Sequence, residues 1–238
     1  MTKHLLAAAL LSALAMNVHA EEAKPGWTGA GEFGLVVSSG NADTSTVNAK
    51  LGLKHEGERW VHEGSVQALR AESDEDVTAE RWEVTAKSGY KINEKSYTYG
   101  AYRHEDDNFA PFERQTIVSI GYGRQVIKTD ATELSFEAGP GYKWVDPAST
   151  EFDSQGEGVL RGNASYKHGF NESTSFYNQF LVESGQDNTF VQNDIGVQVK
   201  MFERLALKAA LVARHNTDVE APIKKTDTLT TINLVYGF

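Results

Sequence analysis

The side chains that could do chemistry are few and scattered. Beyond residue 20 the histidines are His55, His62, His104, His168 and His215, and the chain has no cysteine. No two of them form an H-x-x-x-H pair, so the converging ligands that zinc requires are missing from the pattern. A hydrolase needs a serine, a histidine and an orienting polar group. Ser165 with His168, or Ser65 with His62, are the pairs that proximity in the chain suggests. Neither is accompanied by a nucleophile-elbow pattern, so the expectation is a protein that is not an enzyme and has no catalytic residue. Two acidic runs, Glu72-Ser73-Asp74-Glu75-Asp76 and Glu105-Asp106-Asp107, offer oxygen ligands of the kind that hold calcium. Neither has the spacing of an EF-hand loop, and both read as solvated charges of loops. No metal and no cofactor is expected.

The elements that carry these residues are strands. Period-two alternation runs through the chain, and no helical periodicity persists for three turns. In the last segment Thr230, Ile232, Leu234, Tyr236 and Phe238 fall on one face, and Leu229, Thr231, Asn233, Val235 and Gly237 on the other. The same division places Val197 and Val199 against Gln198 and Lys200, Leu207 and Leu211 against Lys208 and Val212, and Phe136 and Tyr142 against Glu137 and Lys143. Each segment has one face suited to hydrocarbon and one that is not. Twelve such segments are expected, at 27–38, 45–57, 60–72, 79–92, 96–106, 115–127, 132–145, 157–170, 174–184, 189–202, 204–215 and 227–238. In the fifth, Tyr97, Tyr99 and Ala101 are the candidates for the outward face.

Turns of one to three residues alternate with longer connections at Ser73–Thr78, Asp107–Arg114, Asp146–Gly156 and Asn216–Thr226, and on that longer side two further connections, Ser39–Thr44 and Gly185–Asn188, are compact. An even strand number with alternating short and long connections is the pattern of an outer-membrane barrel, with short periplasmic turns and longer external loops. Backbone polar groups cannot stay unpaired in hydrocarbon, so such a sheet must close on itself. The expected fold is therefore all-β: a transmembrane antiparallel up-and-down β-barrel of about 12 strands. Soluble sandwiches and lipocalin-like barrels also alternate, but need neither the loop asymmetry nor an aromatic last strand.

The first twenty residues fix the compartment. Lys3 precedes an apolar run from Leu5 to Met16, and Val18-His19-Ala20 supplies small residues before Glu21. That is a cleavable signal peptide over 1–20, with the barrel over 21–238. The run is about twelve residues, short of the roughly twenty that span a bilayer as a helix. The net charge is −10. Loss of Lys3 makes it −11, which argues against nucleic acid as a partner. Expected partners are outer-membrane lipid and the barrel-assembly machinery, engaged through the C-terminal strand ending at Phe238. The chain is expected to be a monomer in the bacterial outer membrane.

Alternation also selects the residues that point inward: Glu32, Lys50, Lys54, Arg81, Glu83, Lys87, Glu133, Glu137, Lys143, Arg161, Lys167, Asp194, Lys200, Lys208 and Arg214. Opposite charges there can pair and plug a narrow barrel, or line a lumen that passes small solutes. Twelve strands lie between the filled eight-stranded case and the open sixteen-stranded porins, so both readings stand. Neither sign dominates, so no strong ion selectivity is expected.

One segment is more distinctive. Gly26-Trp27-Thr28-Gly29-Ala30-Gly31-Glu32-Phe33-Gly34, followed by Ser38-Ser39-Gly40-Asn41-Ala42-Asp43-Thr44, resembles the opening hairpin of the YdiY-like salt-induced outer-membrane proteins, a domain-of-unknown-function family. Tyr97-Thr98-Tyr99-Gly100, Arg103 to Phe109, and Glu137-Ala138-Gly139-Pro140-Gly141-Tyr142 are similar to that family as well. The resemblance implies an outer-membrane barrel and an association with salt stress, and it supplies no catalytic residue. Read by residue chemistry alone, Ser39 to Thr44 is a self-bonded turn.

Overall fold

The computed structural model describes residues 26–38, 44–74, 76–110, 112–147, 155–219 and 224–238. The segment expected to be the signal peptide lies outside them, as does most of the Ser39–Thr44 turn. Twelve strands follow in chain order: β1 (Trp27–Ser38), β2 (Thr44–Glu56), β3 (Trp60–Ser73), β4 (Asp76–Lys91), β5 (Ser96–Asp107), β6 (Phe112–Lys128), β7 (Thr132–Pro147), β8 (Gln155–Gly169), β9 (Thr174–Ser184), β10 (Thr189–Lys200), β11 (Leu205–Asn216) and β12 (Thr226–Gly237). Each pairs antiparallel with its neighbours in sequence, and β1 pairs with β12 to close the ring. This is the twelve-stranded up-and-down barrel that the alternation predicts. No described helix is long and apolar enough to cross a membrane.

The outer face is apolar where the pattern requires it. Leu51, Val66, Phe136, Leu160, Leu207, Leu211, Ile232 and Leu234 are all exposed. Aromatic rings gather at both rims. At the short-turn end Trp27 packs on His55 at 4.8 Å, Trp60 on Tyr90 at 5.1 Å and Tyr236 on Phe238 at 6.5 Å. At the long-loop end Trp82 meets His104 at 5.0 Å and Tyr142 meets Trp144 at 4.7 Å. Aromatic girdles flanking an apolar band suit the two interfaces of a bilayer.

Two expectations about the strands need correction. The polar run Ser73–Thr78 is not a longer loop, because β3 ends at Ser73 and β4 begins at Asp76. Asp74 takes a left-handed φ of 49° in the tight turn, which Asp tolerates better than most residues. The face of β5 is also inverted. Tyr97 and Tyr99 point inward, where Tyr97 Oη donates to Glu137 Oε1 at 2.7 Å and Tyr99 is 3% exposed. Tyr102, of opposite parity, is exposed. Arg103, Glu105 and Asp107 share the parity of Tyr97 and Tyr99, so the choice is which set meets hydrocarbon. The charged set cannot, and it takes the tyrosines inward with it.

Glycine makes room for these inward rings. Tyr97 and Tyr99 of β5 stand opposite Gly123 and Gly121 of β6. A Cβ added at Gly123 would strike the Tyr97 ring, whereas one at Gly100 would meet nothing within 4 Å. Gly123→Ala is expected to lower the unfolding free energy by about 1–3 kcal/mol through overpacking. Gly100→Ala should stay within about 0.5 kcal/mol of the parent. Urea unfolding of the refolded protein in lipid measures both, and equal effects would contradict the packing.

Candidate functional site: a lumen bridged by ion pairs

The inner faces of β4, β5, β9 and β11 each carry charge toward the long-loop end, and the structure joins these charges across the lumen. Arg214 of β11 donates through Nη2 to Glu105 Oε1 of β5 at 2.5 Å and through Nη1 to Asp107 Oδ2 at 3.3 Å. Arg103 of β5 donates through Nη2 to Glu183 Oε2 of β9 at 2.5 Å. Its Nη1 lies 3.2 Å from Glu105 Oε2 and 3.4 Å from Glu83 Oε2. Arg81 stands 3.9 Å from Asp107. Phe190 of β10, 1% exposed, has both guanidinium groups 5.1 Å from its ring centre. Glu105 and Glu183 are 2% and 0% exposed.

Strand order turns these contacts into a statement about shape. β5 and β11 are six places apart in a ring of twelve, on opposite walls. A circular ring of strands ~4.8 Å apart and tilted ~40° would be ~24 Å across. That is farther than an arginine and a glutamate laid end to end. The Arg214–Glu105 contact therefore requires a flattened cross-section that brings β5 and β11 together.

A second layer lies toward the short-turn end. Glu137 of β7 accepts from Lys87 Nζ at 2.8 Å and from Tyr97 Oη at 2.7 Å, and Arg161 Nη1 lies 3.5 Å away. Lys87 also pairs with Glu63 at 2.9 Å, and Arg161 reaches Glu183 at 4.0 Å. This links the two layers. Beside them Lys143, 1% exposed, pairs with Glu157 at 2.6 Å. Burying an ion costs several kcal/mol, repaid only by a close partner and further hydrogen bonds. Close partners are present, with Arg81, Arg103, Arg161 and Arg214 set among Glu83, Glu105, Asp107, Glu137 and Glu183, while Arg103 Nε, Arg214 Nε and Glu183 Oε1 are buried without a hydrogen bond.

The remaining inward residues sit apart from the bridge. Lys208 donates to Glu32 Oε2 at 2.6 Å near the β1–β12 seam, where Asn48 donates to Asn233 Oδ1 at 3.1 Å. Asp194 accepts from Tyr177 Oη at 2.8 Å. Lys50 lines a cavity of about 480 Å³ between the β2–β4 wall and the β10–β12 wall. Lys54 pairs with the exposed Glu56 at 3.0 Å, and with Glu133 it lines a wider cavity of about 1060 Å³ at the short-turn end. Lys167 and Lys200 are exposed toward the same end.

Several members of the bridge lie outside the set that alternation selected: Arg103, Glu105, Asp107, Glu183, Phe190 and Tyr97. Glu105 and Asp107 are not solvated loop charges but buried strand residues. Asp106 alone of that run points outward, 3.7 Å from Arg114. The signal for the others was available. Phe190 shares parity with Gln192 and Asp194 on β10, and Glu183 with Gln179 on β9.

The paired Ser and His residues do not meet. Ser165 faces the lumen, where Gln179 Nε2 donates to it at 2.6 Å. The His168 ring lies on the outer face, 5.1 Å from Phe170 and with Nδ1 2.8 Å from Thr132 Oγ1. Ser65 lines the 480 Å³ cavity, while His62 stacks outside on Trp60 at 5.9 Å. A spacing of three along a strand separates both pairs by the thickness of the sheet. Among the described residues no group of three or more His, Asp or Glu side chains converges as a metal site.

The fold is that of outer-membrane barrels and porins. The NanC porin structure superposes with a TM-score of 0.52 at 12% identity, over 89% of this chain and 97% of that one. The KdgM porin gives 0.49 at 11% identity, over 89% and 99%. At such identity the likeness is one of fold. In sequence the chain is 23% identical over 205 residues to the uncharacterized protein YdiY of Escherichia coli (strain K12), covering 86% of this chain and 80% of that protein. The family described as "Protein of unknown function, DUF481" matches residues 31–238, and the chain belongs to it.

Proposed function

We propose that this protein is a bacterial outer-membrane barrel held closed along its axis, structural or at most weakly conducting. The observation that carries the reading is the contact of Arg214 with Glu105 and Asp107 between opposite walls. With Phe190 and Arg103 beside it, the bridge spans the lumen toward the long-loop end. The short-turn end, where β1 begins and β12 ends, faces the periplasm, and the apolar band between the aromatic girdles meets lipid. The outward and lumenal separation of Ser165 from His168 supports a role other than lipid hydrolysis.

The second reading, a small-solute channel, draws support from the 1060 Å³ cavity at the periplasmic end. Planar-bilayer recording separates the two. The parent protein is expected to give little or no conductance. Phe190→Ala combined with Arg214→Ala, which removes the centre of the bridge, is expected to raise it clearly. Should that pair fold poorly, Phe190→Ala alone should still raise conductance by a smaller step. A parent protein that conducts like an open porin would overturn the closed-barrel reading.

The association with salt stress forms part of the proposal and draws on the family resemblance. Its test is the amount of this protein in the outer-membrane fraction after a rise in external NaCl. An increase is expected, and an unchanged level would remove the association. Ionic strength should leave the bridge largely intact, because salt screens buried pairs far less than exposed ones. Raising NaCl from 0.1 to 1 M, roughly the range over which the Debye length falls from ~10 to ~3 Å, should therefore not open the parent barrel.

A further inference from the structure

The closure of the ring is uneven. β1 pairs with β2 along its whole length, from Trp27–His55 to Ser38–Thr44, and β12 pairs with β11 from Thr226 to Tyr236. Between β1 and β12 the described ladder runs only from Ala30–Gly237 to Gly34–Asn233, extended by the mutual bonds of Gly29 and Phe238 at 2.8 and 2.9 Å. The same register carried further would pair Leu35 with Ile232, Val36 with Thr231, Val37 with Thr230 and Ser38 with Leu229. Among the described residues those pairs are absent. The seam is therefore zipped in its lower half and unpaired in its upper half.

A bare strand edge in hydrocarbon is costly, and barrels ordinarily abolish it by closing. Here the lower lip of the gap is apolar, with Leu35, Ile232 and Leu234 exposed on the outer face. The 480 Å³ cavity lies behind it, lined near the gap by Leu229, Thr231, Val212 and Leu69. Leu229, Val212 and Leu69 give this part of a lining otherwise rich in polar side chains an apolar stretch. Deeper in the same cavity Lys50 is half-buried. Glu32, its cross-strand neighbour, is held by Lys208, and Glu83 by Arg103 and Gln67. Among the described residues Lys50 has no anionic partner.

We propose that the gap is a lateral portal between lumen and bilayer, and that the cavity behind it takes a single-chain amphiphile with an anionic head, such as a long-chain carboxylate. The head sits against the Lys50 ammonium, and the chain passes Leu229 and Val212 to leave between β1 and β12. The bridge of Arg103, Arg214 and Phe190 blocks the axial exit, so a molecule in this cavity has the side of the barrel as its way to the outer lip. The inference rests on the membrane-barrel reading and goes beyond it.

The test uses the full chain reconstituted in phosphatidylcholine bilayers, a diazirine-bearing long-chain fatty acid, photolysis and mapping of labelled peptides. Labelling is expected on lumen-facing Leu229, Val212 or Leu69 as well as on outward Leu207 and Leu211. The chain has no native cysteine, so Val36→Cys with Thr231→Cys can lock the seam. Oxidation should abolish the lumenal label and reduction restore it. Thr231→Trp, which fills the gap without a cross-link, should also abolish it. Lys50→Gln should weaken competition by the unlabelled carboxylate about tenfold, the size expected for a charge-assisted hydrogen bond. Competition by the matching long-chain alcohol should not change. Label confined to outward residues in the parent protein, or lumenal label that survives in both seam variants, would overturn the portal. Absence of outward label as well would overturn the membrane reading beneath it.

Discussion

Buried charge that must find a partner governs this barrel. Glu105 and Glu183 are almost wholly removed from solvent, and both depend on arginines that reach them from other strands. Removing one partner of such a pair costs about 3–5 kcal/mol, because the other is left buried and alone. The pairs therefore act as struts. They draw β5 toward β11 and β9 and flatten the cross-section, and the space left beside them forms a cavity by the seam and a wider one at the short-turn end that share Glu63, Lys87, Asn163 and Gln179 in their walls. A barrel of the same strand number without them would relax toward a rounder and more open section.

The closing seam depends on the same economy of polar groups. Its lower half is stapled from inside by Lys208 with Glu32 and by Asn48 with Asn233. Above Gly34 no comparable inward pair is described, and the ladder stops where those staples stop. Gly34 itself sits between the Asn48 and Asn233 amides, where a side chain would displace one of them. The wall thus closes where its inner face offers polar partners, and the axial bridge ties β11, next to the seam, to β5 on the opposite wall.

Strand number and wall topology were legible in the sequence because each strand must present one face to an apolar surroundings, and period two then fixes the other. Tyr97 and Tyr99 misled for an instructive reason. Aromatic residues serve rims and lumens equally, whereas Arg103, Glu105 and Asp107 at the same parity can serve only a lumen. Ser165 and His168 teach the converse, since an odd spacing on a strand forbids what proximity suggests. The polar run at Ser73–Thr78 read as a loop by composition, yet its length was set by the register of β3 and β4. The cross-lumen partners of Arg214 and Arg103, namely Glu105 with Asp107 and Glu183, were not legible. They lie four or six strands away, and pairing at that range depends on how far the ring is flattened, which no local pattern encodes.

The central claim is that Arg214 and Glu105 meet across the lumen and hold the walls together. A double-mutant cycle on Arg214→Gln and Glu105→Gln, read by reversible unfolding in lipid, tests it most directly. The account predicts a coupling of about 1–3 kcal/mol, with the double variant less destabilised than the sum of the single ones. Additive effects, within about 0.5 kcal/mol, would mean that the two side chains do not meet and that the lumen is not bridged as described.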